Sequence, residues 1–282
     1  MSNNNLQILN EMDGSETSMS ISCSIDDLPT YLNSNSESFT VISQNIRSIY
    51  RNLDDLNVNL LLFKCSVDLI ILTECRIDKN KPIPGLINYK AYSTINHLNQ
   101  NDGVVAFIKD GFQANVNEIK LMGAFCLEVT TPSFVILGIY RSPSNIKADS
   151  FTDSLNSHLE LLSSRRNIIL IGDININLAP KATEQTYERN NRLNYLNTLS
   201  LHGLLPAYNI TTRESSCIDH VILKLDKTKY SAISAVLDTT ITDHHMVFLS
   251  ISCDRPHNEK KLKKVVTDFD GAYHSLTQKN IF

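Results

Sequence analysis

The residues able to do chemistry sit where apolar runs end. Gln44-Asn45 closes one run, Thr73-Glu74 a second, Tyr140-Arg141-Ser142-Pro143 a third and Gly172-Asp173-Ile174-Asn175 a fourth. Ile218-Asp219-His220 lies inside an apolar run, and Thr242-Asp243-His244-His245 precedes the last one. Four acids in such flanks, Glu74, Asp173, Asp219 and Asp243, are costly to bury unless they are paired or bound to a cation. Oxygen ligands of this kind suit Mg²⁺, with Mn²⁺ as a substitute, and Mg²⁺ keeps waters for a phosphate substrate. A His beside an Asp can act as general base or steady an oxyanion, and Asn side chains donate to phosphate oxygens. A single strand-end Asp is more often a turn residue or a helix cap; the ordered set carries the weight. His220 and His245 lie one step off in strand alternation, so they are expected on the other face, and Glu128 is read as structural.

The elements that must hold these residues follow from periodicity. Phe39–Ile46, Val67–Thr73, Gly103–Lys109, Phe125–Thr130, Phe134–Tyr140, Asn167–Gly172, Cys217–Leu223, Ile233–Leu237 and His245–Ser252 read as strands. Leu53, Leu56, Leu60 and Phe63 recur at helical spacing and predict a helix over 50–65. Phe151, Leu155, Leu159 and Leu162 predict one over 148–164, and Leu193, Leu196, Leu199 and Leu204 another. Strands and helices mix without strict alternation. The expected fold is therefore an α/β four-layer sandwich, two mixed sheets packed face to face with helices outside.

Residues 1–38 differ from the rest. They are dense in Ser and Asn and hold six acids and no Lys or Arg, so they are expected to be disordered. Short apolar clusters at Leu6–Leu9 and Leu28–Leu32 could still form a transient helix or a docking segment. The expected division is a leader (1–38), one domain (39–252) and a linker-like tail (253–282) with a basic run at Lys260–Lys264 and an acidic-aromatic patch at Asp268–Asp270.

The whole chain carries a formal charge of -4, which at first argues against nucleic acid. Outside the leader, however, 26 basic residues face 24 acidic ones, and four of those acids belong to the proposed site. A mildly basic body around an acidic pit is compatible with a phosphate backbone.

No apolar run approaches the ~20 residues that span a bilayer, and the N-terminus shows no secretory pattern. Six scattered cysteines without a CxxC pair point to a reduced intracellular compartment. Walker, dinucleotide-glycine, nucleophile-elbow and His-Glu-x-x-His signatures are all absent from the sequence.

Taken in order, the six motifs resemble the endonuclease/exonuclease/phosphatase superfamily, the DNase I-like fold. In particular they are similar to the apurinic-type endonuclease domain of non-LTR retrotransposons. Gln44-Asn45-Ile46-Arg47-Ser48, Asn101–Ala106 and Asn209–Arg213 share the flavour of that branch, and the resemblance covers about 39–252. It implies Glu74 as the principal Mg²⁺ ligand, with Asn45 and Asp243 on the metal side. It implies Tyr140, Asn175 and His244 on the scissile phosphate, Asp173 as the acid that handles the attacking water or the leaving oxygen, and Asp219 as the acid that orients His244. Two positions depart from the pattern: Arg47 stands where repair enzymes carry an Asp ligand, and Thr242 where Ser is frequent.

The implied activity is a Mg²⁺-dependent DNA endonuclease that leaves 3′-hydroxyl nicks. Its partner would be DNA, with a reverse transcriptase in the parent element, the protein being a monomer located in the nucleus with its substrate. With no reverse transcriptase in the sequence, the chain is expected to be a fragment of an element, a truncated copy or a host gene derived from one, the linker-like tail favouring a truncated copy. The alternatives are a phosphatase or lipid phosphodiesterase on the same fold, or an inactive DNA- or protein-binding relic.

Overall fold

The computed structural model describes residues 18–32, 38–63, 65–95, 102–143, 148–179 and 184–253. In chain order the strands are β1 (Ser18–Ser24), β2 (Ser38–Asn45), β3 (Leu69–Thr73), β4 (Tyr89–Ser93), β5 (Val105–Lys109), β6 (Asn115–Leu121) and β7 (Ala124–Thr130). They continue with β8 (Val135–Arg141), β9 (Ile168–Asp173), β10 (Leu205–Pro206), β11 (Asp219–Lys224), β12 (Ser231–Asp238) and β13 (Met246–Ser252). The helices are α1 (Ile49–Leu62), α2 (Ala148–Leu161) and α3 (Thr186–Leu201).

Seven strands form one mixed sheet in the order β1-β12-β13-β2-β3-β5-β4, and six form the other, β10-β11-β9-β8-β7-β6. The two sheets meet where β2 and β3 pack against β8 and β9. Near-continuous apolar runs in the central strands fit burial on both faces: every residue of β3 and β9 is buried. Ile49, Leu53 and Leu56 of α1 pack with Ile42, Ile70, Phe107 and Phe248 outside the seven-stranded sheet. Phe151, Leu155 and Leu159 of α2 join Tyr195 and Leu199 of α3 in the other core. The four-layer α/β sandwich expected from the sequence is the fold.

Three expectations change. Part of the leader is folded: β1 pairs in parallel with β12 from Ser18–Ala232 to Ser24–Asp238, and Ile25 and Leu28 are buried. Met19, Ile21 and Cys23 alternate with serines, a period of two that a Ser-rich composition conceals. Burying Ile25 and Leu28 stabilises the fold by about 2 kcal/mol each, enough to hold a short edge segment. The Leu28–Leu32 cluster contributes a 3-10 turn at Leu28–Thr30, whereas Leu6–Leu9, Lys260–Lys264 and Asp268–Asp270 lie outside the described residues. Second, β4 and β6 are edge strands with polar alternation that the apolar-run reading passes over. Third, Leu204 lies beyond α3. Gly203 takes φ +73, and the Leu204 N–H donates to the Leu199 carbonyl, a glycine-mediated helix stop.

Candidate active site

The strand register builds the site. Tyr140 pairs with Asp173 across β8 and β9, and Asp173 pairs with Asp219 across β9 and β11. These three side chains therefore leave one face of the six-stranded sheet in a row. Asn45 and Thr73 pair at the ends of the parallel strands β2 and β3 of the other sheet, and Glu74 follows directly. Asn45 Nδ2 donates to Asp173 Oδ2 at 2.9 Å and ties the two sets of strand ends together.

Gly172 makes that row possible. Its φ is +135, and a Cβ there would lie 2.1 Å from the Ile139 carbonyl oxygen, so no other residue fits between β8 and β9 before Asp173. Arg47, Glu74, Arg76 and Asn175, all at or near strand exits, take φ values of 48, 49, 52 and 53. Each left-handed non-glycine costs about 1 kcal/mol or more, and such positions collect at functional sites.

His244 Nδ1 lies 2.9 Å from Asp219 Oδ2, and His244 Nε2 lies 3.4 Å from Asn45 Nδ2. Burial alone would lower the His244 pKa, but the hydrogen bond and charge of Asp219, helped by Asp173 and Asp243, outweigh it and raise it. Asp173 is fully buried. Burial first, and then the charge of Asp219, push its carboxyl up to about 8, against the opposing pull of His244 and Asn45. Burial, followed by the charges of Glu74, Asp173 and Asp102, likewise pushes the Tyr140 phenol up. The pit thus holds more negative charge than its own partners neutralise.

That imbalance is what a cation would relieve. Asp173, Asp219 and His244 bring one ligand atom each within 4.8 Å of one another, a group that could hold a metal ion. The resemblance implies a neighbouring set, Glu74, Asn45 and Asp243. Of these, Asn45 gives one amide N–H to Asp173 and accepts the Arg47 N–H at Oδ1, and the Asp243 carboxylate is bonded to Arg47 at 2.8 Å and Arg213 at 2.9 Å. The half-buried Glu74 carboxylate has no hydrogen-bond or ion-pair partner among the described residues, which leaves it available. Two buried carboxylates with Glu74 nearby supply the oxygen donors that Mg²⁺ prefers. Asn175 turns its amide to the Arg141 carbonyl at 2.8 Å, while its backbone N–H donates to Asp173 Oδ1 at 3.2 Å. Beside it a cavity of about 360 Å³ opens, lined by Arg141, Asn175, Asn177, Glu184, Tyr187 and Ile218 among others.

Gln44 and Thr242, members of the strand-end motifs, and Thr212, which no spacing singles out, brace the site. Gln44 Nε2 donates to the His244 carbonyl at 3.1 Å and to the Asn45 carbonyl at 2.9 Å. The Thr242 hydroxyl donates to the Asn45 carbonyl at 2.9 Å and accepts from the His244 N–H at 3.2 Å, so the hydroxyl kept at this position is used. Buried Thr212 accepts from the backbone N–H groups of Ile218 and Asp219, and its carbonyl receives the His245 N–H. His220 faces away from the acids, as alternation predicts: Nε2 lies 2.9 Å from the Ile176 carbonyl and Nδ1 3.3 Å from the Tyr195 hydroxyl. His245 reaches Asp238 at 3.2 Å, and Glu128 pairs with His158 at 2.8 Å.

No family model matches the sequence, and no curated protein does. Solved structures do. The endonuclease domain of TRAS1, a telomere-specific non-LTR retrotransposon, matches with a TM-score of 0.56 at 13% identity, over 78% of this chain and 100% of that one. The catalytic domain of Xenopus laevis APE2 gives 0.53 at 15% identity, over 76% of this chain and 92% of that one. An endonuclease/exonuclease/phosphatase family protein from Leptotrichia buccalis gives 0.54 at 14% identity, over 76% and 99%. Identities this low speak for the fold, and the chain has the two-sheet DNase I-like fold of the endonuclease/exonuclease/phosphatase proteins.

Proposed function

We propose that this protein is a Mg²⁺-dependent phosphodiesterase that nicks DNA and leaves a 3′-hydroxyl. One observation carries the reading: buried Asp173, held by Asn45, stands beside a buried Asp219–His244 pair, with Glu74 uncommitted next to them. Glu74, beside the Asp173–Asp219–His244 group, would lead the set that holds the cation, whose contribution would be to offset charge on the phosphate and its oxygens. Asp219 fixes the His244 proton on Nδ1 and favours the imidazolium. The Nε2–H and the Asn45 amide then lie side by side as two donors, an arrangement that calls for a shared acceptor such as a phosphate oxygen. Asp173, its affinity for a proton raised by burial, takes one from the attacking water. Tyr140 remains a neutral phenol and donates to the phosphate, and Asn175 adds the second N–H of the amide that the Arg141 carbonyl holds.

The likeness to the endonuclease domain of a non-LTR retrotransposon is in keeping with a role in nicking DNA for such an element. No helix of the described residues is long and apolar enough to cross a membrane. The test is plasmid nicking with Mg²⁺ by the wild type against Asp173→Ala, His244→Ala and Glu74→Gln. The first two are expected to lose nicking by about a hundredfold or more, and the third to need more Mg²⁺. A wild type no faster than Asp173→Ala, or one that turns over inositol phosphates and leaves DNA intact, overturns the reading.

A further inference from the structure

We infer that Arg47, Asp243 and Arg213 form a clamp for a backbone phosphate next to the scissile one, with Asp243 serving as the anchor of two arginines and not as a metal ligand. The inference rests on the reading of the substrate as DNA. Arg47 Nη2 donates to Asp243 at 2.8 Å and Arg213 Nε donates to the same carboxylate at 2.9 Å. One carboxylate thus faces two guanidinium groups, and the trio keeps a net positive charge. The three side chains are 35%, 36% and 37% exposed, open enough to meet a ligand.

The guanidinium donors are only partly used. Each group carries five N–H donors in a planar fork. Arg213 commits Nε and Arg47 commits Nη2, and neither side chain has another hydrogen-bond or ion-pair partner among the described residues. The free edges suit a bidentate phosphate. Stability does not explain the arrangement, because exposed ion pairs contribute about 0–1 kcal/mol, while Arg47 sits at φ +48 and Ser48 at φ +119.

Position ties the trio to the buried site. Arg47 follows Asn45 by two residues and its N–H donates to Asn45 Oδ1 at 3.3 Å. Asp243 precedes His244, and Arg213 follows Thr212, which holds Asp219. A phosphate held here would set the register of the strand relative to the His244 and Asp173 side chains. A divalent cation on Asp243 would instead stand beside two guanidinium charges, an unfavourable neighbourhood.

The test measures binding of a duplex oligonucleotide to the full chain in EDTA across a series of KCl concentrations, together with nicking kinetics in Mg²⁺. Arg47→Gln and Arg213→Gln are each expected to make the log–log salt dependence shallower by about 0.9 and to raise KM more than they lower kcat. Arg47→Lys and Arg213→Lys keep the charge and the slope. Asp243→Asn is expected to raise KM with the Mg²⁺ requirement unchanged. Wild-type slopes in both Gln variants, or a raised Mg²⁺ requirement in Asp243→Asn, overturn the clamp. A wild type that fails to nick DNA sinks the nuclease reading separately, since the salt slopes are read without metal or turnover.

Discussion

His220 and His244 are both buried, and each is next in sequence to an aspartate, yet their surroundings drive them apart. His244 faces the space between the sheets, where Asp219 grips Nδ1 and Asp173 and Asp243 add charge, so its pKa rises although burial opposes it. His220 faces the helices. Burial dominates there, the Ile176 and Cys217 carbonyls and the charge of Asp219 offset only part of it, and the pKa falls to about 4. The Tyr195 hydroxyl sits 3.3 Å from Nδ1, and a neutral ring can accept its hydrogen bond while donating from Nε2 to the Ile176 carbonyl. One step of strand alternation therefore separates a histidine whose proton affinity is raised from one whose proton affinity is lowered.

The largest effect expected from breaking this contrast comes from Asp219→Asn. The amide preserves size but cannot stabilise an imidazolium, so the chief cause of the raised His244 pKa disappears. Nicking is expected to fall by about a hundredfold or more, and the limb of the pH–rate profile that reports His244 to move to lower pH. A variant with wild-type rate and an unmoved profile would mean that Asp219 does not act through His244.

His220 is expected to act on stability instead. Its folded pKa of about 4 lies below the ordinary value of 6.5. Between those two the unfolded chain binds the extra proton, so this contribution is complete above pH 6.5 and is lost as pH falls toward 4. The full loss is about 3 kcal/mol. His244, raised above its ordinary value, works in the opposite sense, contributing below that value and losing its contribution as pH rises. In urea melts, His220→Phe is expected to be less stable than wild type by about 1–3 kcal/mol at pH 7, because it orphans the Ile176 carbonyl and the Tyr195 hydroxyl. The gap should narrow toward pH 4.5 while nicking per folded molecule is kept. A gap that stays constant with pH would assign the acid sensitivity elsewhere.

The two histidines also show what a sequence can reveal. Asn45, Glu74, Asp173 and Asp219 interrupt apolar runs, and alternation sorts His220 from the acids; both are local patterns. The central strands and the three helices were legible for the same reason. Strand β1 was not, because its Met19, Ile21 and Cys23 lie among serines and its partner β12 is some two hundred residues away along the chain. The Asp243 partners follow from the loop that brings Arg213 to Arg47, a tertiary event with no periodic trace. The departure at Arg47 was visible, but its consequence for Asp243 needed the distances. Gln44 and Thr212 act through hydrogen bonds to backbone atoms, and no spacing rule announces such bonds.

Thr212 offers the finest adjustment of the contrast. Its hydroxyl accepts the N–H groups of Ile218 at 3.1 Å and Asp219 at 3.0 Å, and so fixes the strand start that points Asp219 to one face and His220 to the other. Thr212→Val keeps the shape and removes the acceptor. Orphaning two buried N–H groups is expected to cost about 2 kcal/mol, visible as a lower Tm. Nicking should drop much less than in Asp219→Asn, because the carboxylate is still present and only its aim is loosened. Thr212→Ser, which retains the oxygen, should recover most of both losses. Should Thr212→Val melt and nick like wild type, the strand register alone aims Asp219, and the hydroxyl is incidental to the separation of the two histidines.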